Sequence, residues 1–377
     1  MAQWDIFCCV VDNYGDIGVT WRLARQLAGE HGQQVRLWVD DPQAFARLCP
    51  HAVPGAARQW QSGVEVCHWV LPWEAVEPAD VVIEAFACEL PLAYRQAMAQ
   101  RGRPPLWLNL EYLSAESWVE GCHALPSLQA DGLRKYFWFP GFTPATGGLL
   151  REGELLAQRS VWQGEDAHRQ AFLATLGVEW QGERLISLFA YEQPQLGVWL
   201  DLLAAGMPTL LLVPEGRVLG DVERWCRQTL IGGQSVHRGA LRVQRLPFVS
   251  QEDYDRLLWS CDLNAVRGED SFVRAQWAGR PFLWHIYAQD EGAHLLKLEA
   301  FLAHYLAGAA EAIAAPLRTL WHAWNAAATP DELAQAWQQL ERHLPSWQAH
   351  ASTWCTQLAA QTDLATGLVQ FHAGWLE

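Results

Sequence analysis

Short apolar runs and longer amphipathic stretches take turns along the first half of the chain. Ile6–Val11, within DIFCCVV, reads as a strand, and VTWRLARQLAGEHG behind it as a helix stopped by a glycine. QVRLWVD, ADVVIEAFA and PLWLNLEYL are three further strands. Such alternation predicts a parallel, doubly wound sheet. The stretch 141–182 is rich in turn formers and charge, and a domain boundary is expected within it. A second alternation follows. ERLISLFAY, PTLLLVPEG, RVQRLPFV, the LNAV of LNAVRGEDS and PFLWHIY read as strands, while QLGVWLDLLAAG, QEDYDRLLWSCD and SFVRAQWAGR read as helices. From about residue 289 onward the pattern is helical. The expected units are two α/β lobes of similar architecture, 1–165 and 166–355, and a helical segment, 356–377, placed to pack back on the first lobe. Two-lobed α/β proteins usually take their ligand between the lobes.

Length agrees with this count, since 377 residues at about 150 per domain make two or three domains. Half of the residues are hydrophobic and 18% are charged, the composition of a soluble protein with sizeable cores. No apolar run approaches the roughly 18 residues of a membrane span, and Asp5 interrupts the first apolar run, so neither a membrane protein nor a signal peptide is expected. The 22 tryptophans, many at helical spacing like Trp321 and Trp324, are expected in the cores. Of the nine cysteines, Cys8 and Cys9 are neighbours in a strand and point to opposite faces. No C-x-x-C occurs, and Cys67-His68 and Cys122-His123 lack zinc spacing. The expectation is buried free thiols in a reducing cytoplasm and no metal site. A net charge of −15 argues against nucleic acid as a partner, which calls for a basic face.

Two strand–loop–helix junctions carry candidate chemistry. In VVDNYGDIG, Gly15 and Gly18 are present, but Asn13 stands where a dinucleotide-binding loop needs its first glycine, and no GK[ST] follows. Asp16 reads either as a helix N-cap or as a functional acid. Asp12 ends the strand, on the side where doubly wound sheets bind ligands. In RGEDS the equivalent junction of the second half offers Arg267, Glu269, Asp270 and Ser271 ahead of a helix. Helix N–H groups with the Ser271 hydroxyl and Arg267 make a diphosphate cradle, or the acids merely cap the helix. Phe189, Tyr191, Phe248 and Tyr254 fall at strand ends or in the following helix on the same edge. They read as core rings or as a stacking platform for a nucleobase. His285 and His294 have no triad-like context, and neither G-x-S-x-G nor D-x-D occurs.

The stretches DNYGDIGVTWRLARQLA, LWLNLEYLSAE, KYFWFPGF and LPFVSQEDYDRLLWSCDLNAVRGEDSFVRAQWAGRPFLWHIY together resemble the bacterial protein-arginine rhamnosyltransferases that mature translation elongation factor P, the EarP family. The likeness spans almost the whole chain; single positions such as Tyr14 and Tyr254, where phenylalanine also occurs, depart from it. It implies a GT-B fold, two Rossmann-like lobes facing a central cleft, the first lobe for the protein acceptor and the second for dTDP-β-L-rhamnose. It implies inverting transfer of rhamnose to an arginine nitrogen, without a metal or other cofactor. It places the functional acids at Asp12, Asp16 and Glu269, with Asn13 and Gly15 shaping their loop. The donor pocket falls at Phe189, Tyr191, Phe248, Gln251, Tyr254, Arg267, Asp270, Ser271 and Tyr287. Glu111 and Tyr112, at a strand end of the first lobe, are candidates for acceptor contacts. Sugar-nucleotide epimerases share this architecture. A transferase with a glycan or lipid acceptor and a non-catalytic binder of the translation factor are the other readings; the intact acids and RGEDS loop argue against the last.

Overall fold

A computed structural model describes residues 1–11, 14–70 and 72–377, with the backbone alone at 290. The chain forms two compact units, Met1–Gly153 with Ala359–Glu377, and Glu154–Leu358.

The first unit runs β1 (Gln3–Cys8), α1 (Gly15–Gly29), β2 (Gln34–Val39), α2 (Pro42–Leu48), β3 (Arg58–Gln61), β4 (Val64–His68), β5 (Val81–Ala85), α3 (Leu92–Gln100), β6 (Leu106–Leu110), α4 (Trp118–Cys122), β7 (Pro126–Leu128) and β8 (Arg134–Trp138). Its sheet has the order β3-β4-β2-β1-β5-β6-β8-β7, parallel except for the antiparallel edge strands β3 and β7. β1, β5 and β6 are buried almost throughout, as a sheet covered on both faces requires. Asp5, the acid inside the first apolar run, is fully buried and bound by Arg36 Nε at 2.6 Å, Trp38 Nε1 at 3.1 Å and the Tyr94 hydroxyl. A buried carboxylate is tolerated only with such partners.

The second unit runs α5 (Leu155–Gly164), α6 (Asp166–Thr175), β9 (Arg184–Leu188), α7 (Leu196–Ala205), β10 (Thr209–Val213), α8 (Leu219–Cys226), β11 (Ser235–Arg238), β12 (Leu241–Arg245), α9 (Gln251–Ser260), β13 (Leu263–Arg267), α10 (Asp270–Trp277), β14 (Phe282–His285), α11 (Ala293–Tyr305), α12 (Glu311–Trp324), α13 (Pro330–Arg342) and α14 (Leu344–Ala359). Its sheet order is β11-β12-β10-β9-β13-β14, with β11 alone antiparallel. The polar segment 141–182 contains α5 and α6, whose few apolar residues are packed. Trp162 of α5 donates to Ser260 Oγ at 3.0 Å and meets Phe172 of α6 edge-on. This anchoring of α5 to α9 makes the second unit begin at Glu154. The last helix, α15 (Leu364–Leu376), belongs to the first unit, where Leu364, Ala365 and Leu368 join the core around Trp4 and Leu27. Gly148 accommodates this return: it has φ +72°, and a Cβ there would stand 2.2 Å from the Thr362 carbonyl oxygen.

Among the parallel strands of each sheet, the antiparallel edge strands set aside, the chain reverses direction once. It steps outward from β1 through β2 to β4 and resumes at β5 on the other side of β1; likewise it steps from β9 to β10 and β12 and resumes at β13. Such switch points open a crevice outside the carboxyl ends of the strands. All nine cysteines are free thiols, seven of them buried. No helix among the described residues is long and apolar enough to cross a membrane.

Candidate active site

In the first unit the switch point lies between the exits of β1 and β5. Asp12 and Asn13 lie outside the described residues. Gly15 is the first residue of α1 and Tyr14 holds the N-cap position, so Asp16 is inside the first turn and is not the N-cap. Its carboxylate is almost fully buried, with 3% exposure, and reaches back to the loop: Oδ2 accepts from the Val11 N–H at 2.9 Å. Oδ1 accepts from the Tyr112 hydroxyl at 3.3 Å. The Tyr112 ring stacks on Phe86, with centroids 4.5 Å apart and an angle of 19°. A carboxylate at the positive end of a helix, with aromatic rings beside it, suits a cationic ligand. Nearby, burial pushes the Glu111 carboxyl up, against a hydrogen bond from Asn109 that favours its charge.

In the second unit the switch point lies between the exits of β9 and β13, and here the chemistry has the opposite sign. The Arg267 guanidinium, at the end of β13, stands 4.5 Å over the Phe189 ring and 4.9 Å over the Tyr191 ring, both just past β9. Tyr254 on α9 meets Phe189 edge-on at 5.8 Å, and Tyr191 meets Tyr287 at 5.6 Å. Burial drives the Tyr254 phenol up, so it stays neutral. Gln251 is the first residue of α9 and buried, behind Ser250, which caps the helix by accepting from the Asp253 N–H at 3.1 Å. Phe248 is half-buried in the segment between β12 and α9.

Gly268 turns the RGEDS loop with φ +61°, a conformation glycine adopts without strain, and its carbonyl accepts from Trp284 Nε1 at 2.7 Å. Glu269 follows at the N-cap position of α10 without a side-chain capping bond. Asp270 opens the helix. Ser271 braces the loop: its Oγ accepts from the Arg267 N–H at 3.2 Å and donates to the Arg267 carbonyl. Behind the loop, Asp255 of α9 grips Arg274 of α10 with two bonds, 2.8 and 2.6 Å, both side chains being buried. A cation, rings and helix N–H groups at one sheet edge form an arrangement that can hold an aromatic base joined to a diphosphate.

Several members of this cluster carried no sequence signal. Arg217 stands 5.6 Å over the Tyr191 ring and pairs with Glu192 at 2.9 Å. A Cβ on Gly216 would come within 3.0 Å of the Phe189 ring, so the glycine gives that ring its place. His285 ends β14 with its ring 5.4 Å from Tyr191. Burial first, and the Arg267 charge second, push His285 down to about 4, so it is neutral at physiological pH. Only a pattern of aromatic and basic residues shared by successive strand ends could have pointed to these positions.

The depressed histidine makes a testable claim about stability. Between its ordinary 6.5 and about 4, His285 takes up a proton in the unfolded chain and refuses it in the folded one. Stability therefore rises with pH across that window and is lost as pH falls through it. The thermal midpoint is expected to drop from pH 6.5 towards 4, and to drop less in His285→Gln. Parallel curves for the two proteins would contradict the assignment. Among the described residues no group of three or more His, Cys, Asp or Glu side chains is placed to hold a metal ion.

Residues 4–373 match the family described as Elongation-Factor P (EF-P) rhamnosyltransferase EarP. A protein-arginine rhamnosyltransferase of Pseudomonas aeruginosa strain PAO1 is 64% identical over 379 residues, covering all of both chains. The enzyme of the same name from Neisseria meningitidis serogroup B is 38% identical, over 97% of this chain and 96% of its own length. A solved structure described as the structural basis for EarP-mediated arginine glycosylation of translation elongation factor EF-P superposes with a TM-score of 0.72, at 46% identity and with 99% of each chain covered. A glycosyltransferase from Rickettsia africae, 9% identical with a TM-score of 0.53 over 100% of this chain and 98% of its own, shares the fold. The two units, each a Rossmann-like α/β domain, make up a GT-B glycosyltransferase fold. The chain belongs to the EF-P rhamnosyltransferase family, EarP, and is an enzyme of the glycosyltransferase class.

Proposed function

We propose that this enzyme moves L-rhamnose from dTDP-β-L-rhamnose to an arginine side-chain nitrogen of translation elongation factor P, inverting the anomeric carbon. The first unit takes the cationic acceptor and the second the anionic donor. The observation that carries this reading is the opposite chemistry of the two switch points, the Asp16 carboxylate in one and Arg267 over Phe189 and Tyr191 in the other. The 46% identical relative, described as glycosylating an arginine of EF-P, supports the choice of acceptor.

Inversion calls for one displacement. The guanidino nitrogen forms its bond to C1 as the bond from C1 to the dTDP oxygen breaks, and a proton leaves the nitrogen. Arginine is a poor nucleophile, protonated and delocalised. Asp16, with Asp12, orients the guanidinium and accepts charge and proton as the C–N bond forms. On the leaving side, Arg267 and the amides at the start of α10 carry the growing diphosphate charge. Ser271 holds that loop in shape. These groups take the part a metal plays elsewhere, and the mechanism we propose invokes none. Glu269 holds the rhamnose hydroxyls or supports positive charge developing at C1. Phe189, Phe248, Gln251, Tyr254 and Tyr287 enclose the base and sugar, and Asp270 completes the rim. The acceptor is a translation factor, so the reaction belongs in the cytoplasm.

Intact-mass analysis of elongation factor P incubated with the enzyme and dTDP-rhamnose tests the whole reading. A gain of one deoxyhexose is expected. An unchanged factor with an altered sugar nucleotide would instead make the chain an epimerase, and an unchanged factor with an intact nucleotide would remove the proposed reaction.

A further inference from the structure

Two loop exits of the first sheet reach the Asp16 carboxylate, and a third supports one of them. The β1 exit supplies the Val11 N–H to Oδ2. The β6 exit supplies the Tyr112 hydroxyl to Oδ1. The β5 exit supplies Phe86, on which the Tyr112 ring lies. Phe86 and Ala87 both have φ of 57°, a left-handed conformation that residues with a Cβ avoid, and two in succession at a sheet edge need a reason. The surrounding hydrogen bonds hold them there. The Phe86 N–H donates to the Leu110 carbonyl at 2.7 Å, and the Cys88 N–H to Ala85 at 3.1 Å. Tyr112 is tied on both sides, by the Glu111 N–H to Trp138 at 2.9 Å and the Ser114 N–H to Pro140 at 3.2 Å.

Rotation of an aspartate carboxylate about its last torsion is soft, with broad wells. A guanidinium, by contrast, meets a carboxylate in a planar, two-pronged geometry, and its orientation decides which nitrogen faces C1. A hydrogen bond on each oxygen turns the soft torsion into a fixed plane. Accepting these two bonds is compatible with a third partner, since a carboxylate has about four acceptor directions.

We propose that Tyr112 is a positioning residue: with Phe86 as its support, its hydroxyl sets the plane of the Asp16 carboxylate against which the acceptor arginine is aligned. This rests on the reading of Asp16 as the group that meets the arginine. At 3.3 Å the bond is longer than the usual O–H···O contact, and active-site bonds often tighten only with substrate bound. Tyr112 is 43% exposed, so its ring touches solvent while its hydroxyl serves the buried acid.

Tyr112→Phe keeps the ring stack and removes only the hydroxyl. Steady-state kinetics on elongation factor P and dTDP-rhamnose should show kcat lowered by about 10- to 100-fold, the cost of a misplaced reacting group. KM for the acceptor and calorimetric donor affinity should change less than about twofold, and the thermal midpoint should be retained. Phe86→Leu should lower kcat in the native background yet add almost nothing in the Tyr112→Phe background, because both changes act through one hydroxyl. Native kcat in Tyr112→Phe, a loss confined to acceptor KM, or an equal Phe86→Leu effect in both backgrounds would each overturn the proposal. Asp16→Asn measured alongside separates the two readings. A dead Asp16→Asn beside a fully active Tyr112→Phe overturns the positioning role alone, whereas a fully active Asp16→Asn overturns both.

Discussion

Asp16→Asn is expected to bind dTDP-rhamnose with native affinity in calorimetry and to turn over about 10³-fold more slowly or worse. The substitution changes no volume, and the side-chain oxygen that remains can still accept from the Val11 N–H, which holds the loop to α1 at 2.9 Å. What is lost is the negative charge. Without it Asp12 alone is left to attract the guanidinium, and the carboxylate that takes up charge and proton as the C–N bond forms is gone. The proposed donor cluster belongs to the second unit and contains no part of this carboxylate, so its affinity should not move. Turnover near the native rate would remove Asp16 from the reaction and leave the buried acid as a brace for its loop.

Asp255→Ala should have the largest effect on stability. Asp255 is 5% exposed and Arg274 is 2% exposed, and they share two short hydrogen bonds. Removing the acid takes two short hydrogen bonds and the Asp255 charge away from a buried guanidinium, which costs about 3–5 kcal/mol. For a unit of this size each kcal/mol corresponds to roughly 2–4 °C, so the midpoint should fall by about 10 °C. The pair clamps α9 to α10, the helix that follows Glu269, so donor affinity should fall with it. The double replacement Asp255→Leu/Arg274→Met removes both charges, and much of the lost stability should return. A fall of less than about 2 °C in Asp255→Ala would show that the pair contributes little to folding. The two substitutions thus probe separate things, charge at the proposed acceptor side and rigidity behind the proposed donor side.

Much of this was legible along the chain because it depends on local periodicity. Apolar runs such as RLISL and TLLLV announced buried parallel strands, and the RGEDS junction announced a strand end meeting a helix start. The family followed from the same junctions, whose residues are tied to one chemistry. Other elements stayed hidden for physical reasons. The edge strands β3, β7 and β11 are short, polar and antiparallel, so they lack the apolar run that marks a central strand. The helices α5 and α6 bury only a few side chains each, so along the chain turn formers and charge stand out instead of an apolar stripe.

The sequence by itself determined that two α/β lobes carry parallel sheets, where their central strands fall along the chain, the membership of the family and the identity of the charged loops. Periodicity and the residue types at each junction are properties of neighbouring positions, and they survive without a third dimension. Only the tertiary structure decided what those loops contact. Whether Asp16 capped its helix or reached back to Val11 and Tyr112, whether Ser271 projected outward or braced Arg267, and whether His285 met Tyr191 were questions about residues up to 96 positions apart. No local pattern encodes such a distance, because the sheet topology alone brings the exits of β1, β5 and β6, or of β9, β13 and β14, to a common edge.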